Sequence, residues 1–418
     1  MLDINFIREN KNLVKKAVKL KCANVDIEKL LVIDDERRKL LLKVENLRAE
    51  KNAAAKEKNI ERGKKIKKEL EKIENDLSKI KKEFQKNLLQ VPNIALPNVP
   101  TGDETKNKIL KKVGQPFRFN FPVKDHLTLG ENLDIIDVVR ASKLSGSRFG
   151  YLKNKAVLLE FALINFAIER LSKEGFSPII PPVLIKKEIT EKLGYWQAGG
   201  NENYYLVVDY KINKNGQDDE NPFYLIGTAE HSLVPMHKDE IFTEKELPKK
   251  YVGFSSCFRR EAGSYGKDTK GIFRVHQFDK IEMVEYVMPQ DDEKERRKML
   301  AFVEGMMREL ELPYQVVQLA SGDLSFPSAE TIDIETWIPS QNKYRETHSI
   351  STTTDFQARR LNIRYKKGGK TEFVHLLNGT AFAIGRTIIA ILENYQQKDG
   401  SVKIPKVLRP YLGFDIIK

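Results

Sequence analysis

The chain has 418 residues, 40% of them hydrophobic, which at about 150 residues per domain allows two or three domains and at least one large core. Two cysteines, Cys22 and Cys257, stand far apart and match no CxxC or Cys/His spacing, excluding a small disulfide scaffold and leaving a structural zinc site without support. The opening residues MLDINFIREN lack the apolar core of a secretion signal, and charges or amides interrupt every apolar stretch short of the ~18 residues of a membrane span, so a reducing, cytoplasmic setting with no membrane is expected.

The 72 Lys and Arg against 59 Asp and Glu give a formal charge of +13, unevenly spread. Residues 1–110 carry 27 basic and 18 acidic residues, most of the excess. A polyanion such as nucleic acid would draw on that field through phosphate contacts and counterion release, and a solvated basic helix surface accounts for it equally well.

From Asp26 to Gln90 the chain is rich in Lys, Glu and Leu, with Gly63 its only glycine, the composition of long helices. Ile66, Leu70, Ile73, Leu77, Ile80 and Phe84 recur at alternating steps of four and three, the seam of a coiled coil. Leu30, Ile33, Leu40, Val44, Leu47 and Ala54 follow the same spacing less cleanly, with Arg37 and Lys51 at seam positions. Two antiparallel helices over about 28–90 are expected, reversing around Asn59–Gly63 and projecting as an arm. Pro92, Pro97 and Pro100 end the helical region, which puts the boundary between an N-terminal domain, 1–100, and a second domain, 101–418.

Beyond residue 115 helical and extended stretches mix. Ala156–Lys173 has helical spacing and runs into GFSPIIPPVL, a turn and a proline-limited edge strand. Tyr251–Glu261 and Ile272–Val287 are expected as two antiparallel strands joined by the basic loop AGSYGKDTKG. The fold class is therefore α+β: an N-terminal antiparallel two-helix arm and an antiparallel sheet flanked by helices.

Phosphate-loop, dinucleotide, GxSxG and HExxH signatures are all missing. The hairpin carries the chemistry instead, because residues two apart share a strand face. Arg259 and Glu261 share one face, opposite Val252, Phe254 and Phe258; Arg274, Phe278 and Glu282 fall together on the returning strand, with His276 and Lys280 between them. So many charges on one face suit either a ligand surface or an ion-pair ladder, since buried charges need partners. Guanidinium groups match phosphate or carboxylate oxygens, and an aromatic face matches a purine.

FRRE at Phe258–Glu261, followed by AGSYGKDTKGIFRVHQFDKIE, resembles motif 2 of the class II aminoacyl-tRNA synthetases in the form it takes in the seryl-tRNA synthetase family. GFSPIIPPVL resembles motif 1, with Pro182 following Gly175, and LNGTAFAIGR resembles motif 3, with Arg386 as its arginine. Thr228-Ala229-Glu230 is similar to the family's serine-binding loop, and YRETHSISTTTDFQARR to its ATP and metal segment, although Thr352 stands where asparagine is common. The basic arm and the closing IPKVLRPYLG complete a likeness that spans nearly the whole chain; class I signatures are absent.

The resemblance implies a serine–tRNA ligase: serine carboxylate attacks the α-phosphate of ATP, and a terminal ribose hydroxyl of tRNA(Ser) then takes the seryl group. No enzyme nucleophile is needed, in keeping with the absence of a triad. It implies that Arg259, Glu261 and Arg386 are catalytic and that Arg274, Val275, Phe278, Glu346, Thr347, His348 and Ser349 join them around ATP. Thr228, Ala229, Glu230, Arg259, Glu282 and Thr380 would bind serine, and Glu346 and Ser349 would hold Mg2+, their spacing of three requiring a turn or bulge if both face the ligand. Taken alone, Thr380 also fits a helix cap, and His276 and Cys257 fit structural roles. A site built to bond a hydroxyl rejects alanine without an editing domain. The arm would bind the long variable arm of tRNA(Ser) within a homodimer; tRNA(Sec) is left open as a further substrate. A ligase loading a carrier protein and a non-catalytic RNA-binding paralogue are the alternatives. A threonyl or prolyl enzyme would be expected to carry a C-terminal anticodon domain, for which Ser401–Lys418 leaves no room, and the zinc-dependent seryl form a cysteine ligand set.

Overall fold

The structure, a computed structural model, describes residues 1–195, 202–208, 222–262 and 270–418. The chain divides into two compact units, Met1–Ile94 and Ala95–Lys418. Most of the loop AGSYGKDTKG, residues 263–269, lies outside the described residues.

In the first unit two short helices, α1 (Ile4–Glu9) and α2 (Lys11–Leu20), precede the hairpin of α3 (Ile27–Lys56) and α4 (Ile60–Leu89). Asp26 starts α3 by accepting from the Glu28 and Lys29 amides, which leave the first turn without intrahelical partners. The expected seam is present: Leu30, Ile33, Val44 and Ala54 on α3 and Ile66, Leu70 and Leu77 on α4 are buried. Each of the buried Leu, Ile and Val side chains contributes on the order of 1.5–3 kcal/mol, along one narrow stripe between helices of about 45 Å. Arg37 holds its seam position by pairing with buried Asp34 at 2.6 Å and lying 4.6 Å over the Phe84 ring, while Lys51 is exposed. The reversal differs from expectation. Gly63 lies inside α4; the turn is made by Glu57–Asn59, with Lys58 at φ +54 and the Asn59 side chain accepting from the Arg62 amide.

The second unit is built on an eight-stranded sheet. Its strands in chain order are β1 (Lys108–Val113), β2 (Ser177–Ile179), β3 (Lys249–Phe258), β4 (Gln277–Val287), β5 (Tyr314–Gln318), β6 (Glu330–Ile338), β7 (Lys343–Thr354) and β8 (His375–Ala383), and they lie side by side as β1-β5-β6-β7-β8-β4-β3-β2. All neighbours are antiparallel except the edge strand β2 against β3. Alternation along β4 and β8 separates the two faces. Ile281, Met283 and Leu377 enter the main core, together with Leu159 and Leu163 of α6 (Lys155–Lys173), Val303 of α7 (Asp292–Glu309) and Ile388 of α9 (Ile384–Asn394); α5 (His126–Asn132) closes its edge with Leu129. On the other face Val284, Tyr286 and Leu376 join a second cluster with Ile226, Leu233 and Ala358 of α8 (Phe356–Leu361), and the polar residues of the site continue along the same strands.

The central hairpin is shorter than expected. β3 ends at Phe258 and β4 begins at Gln277, so Arg259, Glu261 and Arg274 lie beyond the ladder. Arg259 N–H still donates to His276 O at 2.9 Å, one step past the Phe258↔Gln277 pair, and the chain then finds other partners: Arg260 N–H donates to Asn203 O at 2.9 Å and Ile272 N–H to the His126 ring at 3.3 Å. Glu261 takes φ +52 as the chain turns away.

Candidate active site

Two bulges aim the site. Between β6 and β7 the register passes from Ile334↔His348 to Glu335↔Glu346, leaving Thr347 as the extra residue, so Glu346 and Ser349 both face the cavity despite a spacing of three. Between β4 and β8 it passes from Ile281↔Phe382 to Glu282↔Thr380, which sets Thr380 opposite Glu282. Thr380 thus lies inside a strand, and its reading as a helix cap is corrected: α9 begins at Ile384.

These strands and the flanking loops enclose a cavity of about 580 Å³, within the range of small-molecule sites. Thr228, Glu230, Glu282 and Thr380 line one end; Arg259, Glu261, Arg274, Glu346, Ser349 and Arg386 line the rest. An adjoining slot is walled by Phe273, Val275, Phe278 and Thr347. Ala229 and His348 lie behind the wall. The Ala229 methyl is buried in the second core cluster, and His348 packs against Phe382 with Nδ1 on the Thr347 hydroxyl, burial driving its ring pKa down to about 3. Thr352, the departure from the family pattern, is also buried elsewhere, donating to Asp292 at 2.6 Å.

At the narrow end Glu230 heads a short helical turn, Glu230–Leu233, and accepts from Tyr195 OH and, at 3.4 Å, from Gln357 Nε2. Burial first and then the nearby Glu282 push its carboxyl up to about 7. Glu282 Oε2 accepts from Thr380 Oγ1 at 3.2 Å and pairs with Lys280 Nζ at 2.5 Å. His231, under Tyr204, takes the Gly227 N–H on Nδ1 at 3.2 Å and is held neutral by burial, then by Arg259 and Lys280.

The wide end is cationic and aromatic. Arg259 donates from Nε to Gly227 O at 3.1 Å, with its guanidinium 5.4 Å from the Phe278 ring centre. Arg274 pairs with Glu261 at 3.1 Å. Arg386 pairs with Glu346 at 3.2 Å and lies 4.9 Å over Phe273. Crowding works against the Glu346 charge, yet Arg386 foremost, then Arg259 and Arg274, hold that carboxyl below the usual carboxylate range. Behind it, burial and then Glu346 push Asp333 well above that range, and its buried Oδ1 has no hydrogen-bond partner among the described residues. The Glu346 carboxylate and the Ser349 hydroxyl are oxygen donors of the hard type that Mg2+ takes.

Several residues of the wall carried no assignment from the sequence. Lys280 and Asn378 were accessible to it: each lies two residues from an assigned one on the same strand face. Tyr195, and Gln357 behind the wall, had no local signal, since they come from a loop and a helix separate in sequence; Phe273 adjoins Arg274, and strand alternation put it on the opposite face.

A central antiparallel sheet with an arginine-rich, aromatic-walled cavity at its hairpin is the catalytic core of a class II aminoacyl-tRNA synthetase. Residues 210–395 match the family model of the tRNA synthetase class II core domain (G, H, P, S and T), and residues 1–95 match that of the seryl-tRNA synthetase N-terminal domain. The serine–tRNA ligase of Thermodesulfovibrio yellowstonii is 43% identical over the full length of both chains. Among solved structures, seryl-tRNA synthetase from Pyrococcus horikoshii complexed with ATP superposes at a TM-score of 0.90 with 39% identity, covering 100% of this chain and 99% of that one. The cytoplasmic serine–tRNA ligase of Naegleria fowleri in complex with AMP gives 0.87 and 34%, with the same coverage. The chain belongs to the seryl-tRNA synthetase family.

Proposed function

We propose that the chain attaches L-serine to tRNA(Ser) through a seryl-adenylate. The observation that carries this is a cavity and an adjoining slot that differ in chemistry, carboxylates and a hydroxyl at the far end of the cavity and guanidinium groups and aromatic rings about the slot, with Arg259 lining both. Glu230 and Thr228 receive the serine ammonium, and Glu282 and Thr380 its hydroxyl. Arg259 holds the serine carboxylate against the α-phosphate. Phe273, Val275 and Phe278 take the adenine, Glu261 the nucleotide's polar edge, and Arg274 and Arg386 the phosphates.

In the first step a carboxylate oxygen forms a bond to the α-phosphorus while the bond to the bridging oxygen breaks, and pyrophosphate leaves. In the second a ribose hydroxyl attacks the seryl carbonyl and AMP leaves. The residues contribute position and fixed charge. Glu346 and Ser349 would hold Mg2+, which when bound neutralises phosphate charge.

The N-terminal unit, with its basic hairpin, is assigned to tRNA, read by shape through backbone contacts. Exposed Leu158 and Phe161 on α6 and Ile180 after edge strand β2 support a homodimer through this face. Among the described residues no helix is long and apolar enough to cross a membrane. With tRNA and ATP as substrates, the cytoplasm is the setting assigned.

Pyrophosphate exchange with serine, threonine and alanine in parallel tests the assignment. Exchange is expected with serine far above the other two, and equal exchange with alanine would overturn it.

A further inference from the structure

The segment Ile272–Arg274, which walls the ATP end, belongs to no strand and is braced from behind. Ile272 N–H donates to His126 Nε2 at 3.3 Å. The other ring nitrogen, Nδ1, lies 3.2 Å from Glu393 Oε1, which also accepts the His126 backbone N–H at 3.0 Å, while Glu393 Oε2 accepts the Ser340 N–H at 3.0 Å. His126 is 6% exposed and Glu393 0%. One tautomer satisfies both ring contacts: the proton on Nδ1 and the lone pair on Nε2. Next to Ile272, Gly271 has φ +75, and a Cβ there would lie 2.1 Å from His126 Nε2, so only glycine lets the ring approach. Beyond the brace, Phe273 lies beneath Arg345 and Arg386 at 4.0 and 4.9 Å, and Arg274 meets Glu261. Glu393 and Arg386 share α9, so one rigid helix bears both the brace and a phosphate-end arginine.

We propose that His126 is a positioning residue for ATP. As a neutral acceptor it sets the Ile272 backbone, and with it the depth of Phe273 and Arg274 in the cavity, while Glu393 ties that depth to Arg386. The inference rests on the reading of Arg274 and Arg386 as phosphate-end residues.

The test is serine-dependent pyrophosphate exchange with ATP and serine varied separately. In His126→Asn the amide nitrogen falls near Nδ1, which keeps the Glu393 contact and removes the acceptor for Ile272. In His126→Gln an amide oxygen falls near Nε2 and restores that acceptor. The Asn variant is expected to raise the ATP KM about tenfold with the serine KM unchanged, and the Gln variant to recover most of the loss. Gly271→Ala, whose Cβ would force ring and segment apart, is expected to give the same ATP-specific defect, and it decides the matter if the Asn variant does not fold. A wild-type ATP KM in Gly271→Ala or His126→Asn, equal loss in the Asn and Gln variants, or a joint rise of both KM values would overturn the proposal. Arg274→Ala in the same assay tests the underlying reading separately: an unchanged ATP KM there removes the phosphate assignment whatever the His126 variants do.

Discussion

Thr380 donates its hydroxyl to Glu282 Oε2 at 3.2 Å, across a bulged pairing of β4 and β8. Lys280 Nζ reaches the same carboxylate oxygen, so the Glu282 side chain is fixed from two sides.

On the proposed function, that arrangement would make Thr380 a selectivity residue. Thr380→Val keeps the shape and removes the hydroxyl, and is expected to lower kcat/KM for serine about 10²-fold while leaving alanine unchanged. Parallel exchange assays with the two amino acids check it, and an equal loss for both would assign Thr380 to packing alone.

Arg259 lies between the two ends, with Nε on Gly227 O and its guanidinium by Phe278. Arg259→Ala should lower adenylate formation by at least about 10³-fold, because the charge that would bridge carboxylate and α-phosphate is gone. Binding of tRNA, measured by filter retention, should persist. Retained exchange contradicts the bridging role.

Deletion of about residues 28–90 removes the hairpin, whose seam is self-contained within the N-terminal unit. Exchange is expected to stay within about threefold of the full chain, and charging of tRNA to be lost, since phosphate contacts supply most of nucleic-acid affinity. Equal loss of both activities in a folded protein argues against the division of labour.

Glu230 sets a pH dependence. Burial and Glu282 raise its carboxyl from 4.5 to about 7, so the folded protein binds a proton there that the unfolded chain has released. Its stabilising contribution is complete below pH 4.5 and is lost as pH rises through about 7. Serine requires the charged form for its ammonium, so the serine KM is expected to climb as pH falls below about 7, by up to roughly tenfold per unit. Glu230→Gln should raise that KM and flatten its pH profile; a slope that survives the substitution assigns the titration to another group.

Much of this was legible before any coordinates. The alternating four- and three-residue steps through Ile66–Phe84 encode a seam, because neighbouring turns of one helix bring those residues together whatever else the chain does. The placement of Phe278 and Glu282 on one face of β4 follows from the same kind of local geometry. The strand assumption failed at Glu261 and Arg274: the hairpin register ends with the Arg259–His276 bond, after which the Arg260 N–H turns to Asn203 and the Ile272 N–H to His126, partners that no periodicity reveals. Gly63 misled for a related reason: the turn was made by Lys58 and Asn59, and a glycine is tolerated within a helix at a cost of ~1 kcal/mol.

The amino-acid sequence by itself determined which helices form, which residue types face together along a strand, and which family the motifs belong to, because each of these depends on neighbours a few positions away. Tertiary structure alone decided that Tyr195 and Gln357 hold Glu230, that Thr380 meets Glu282, and that Glu346 and Ser349 face one cavity. Those contacts depend on strand order and on two single-residue bulges, each of which changes which side chain faces the ligand without leaving a mark on local composition.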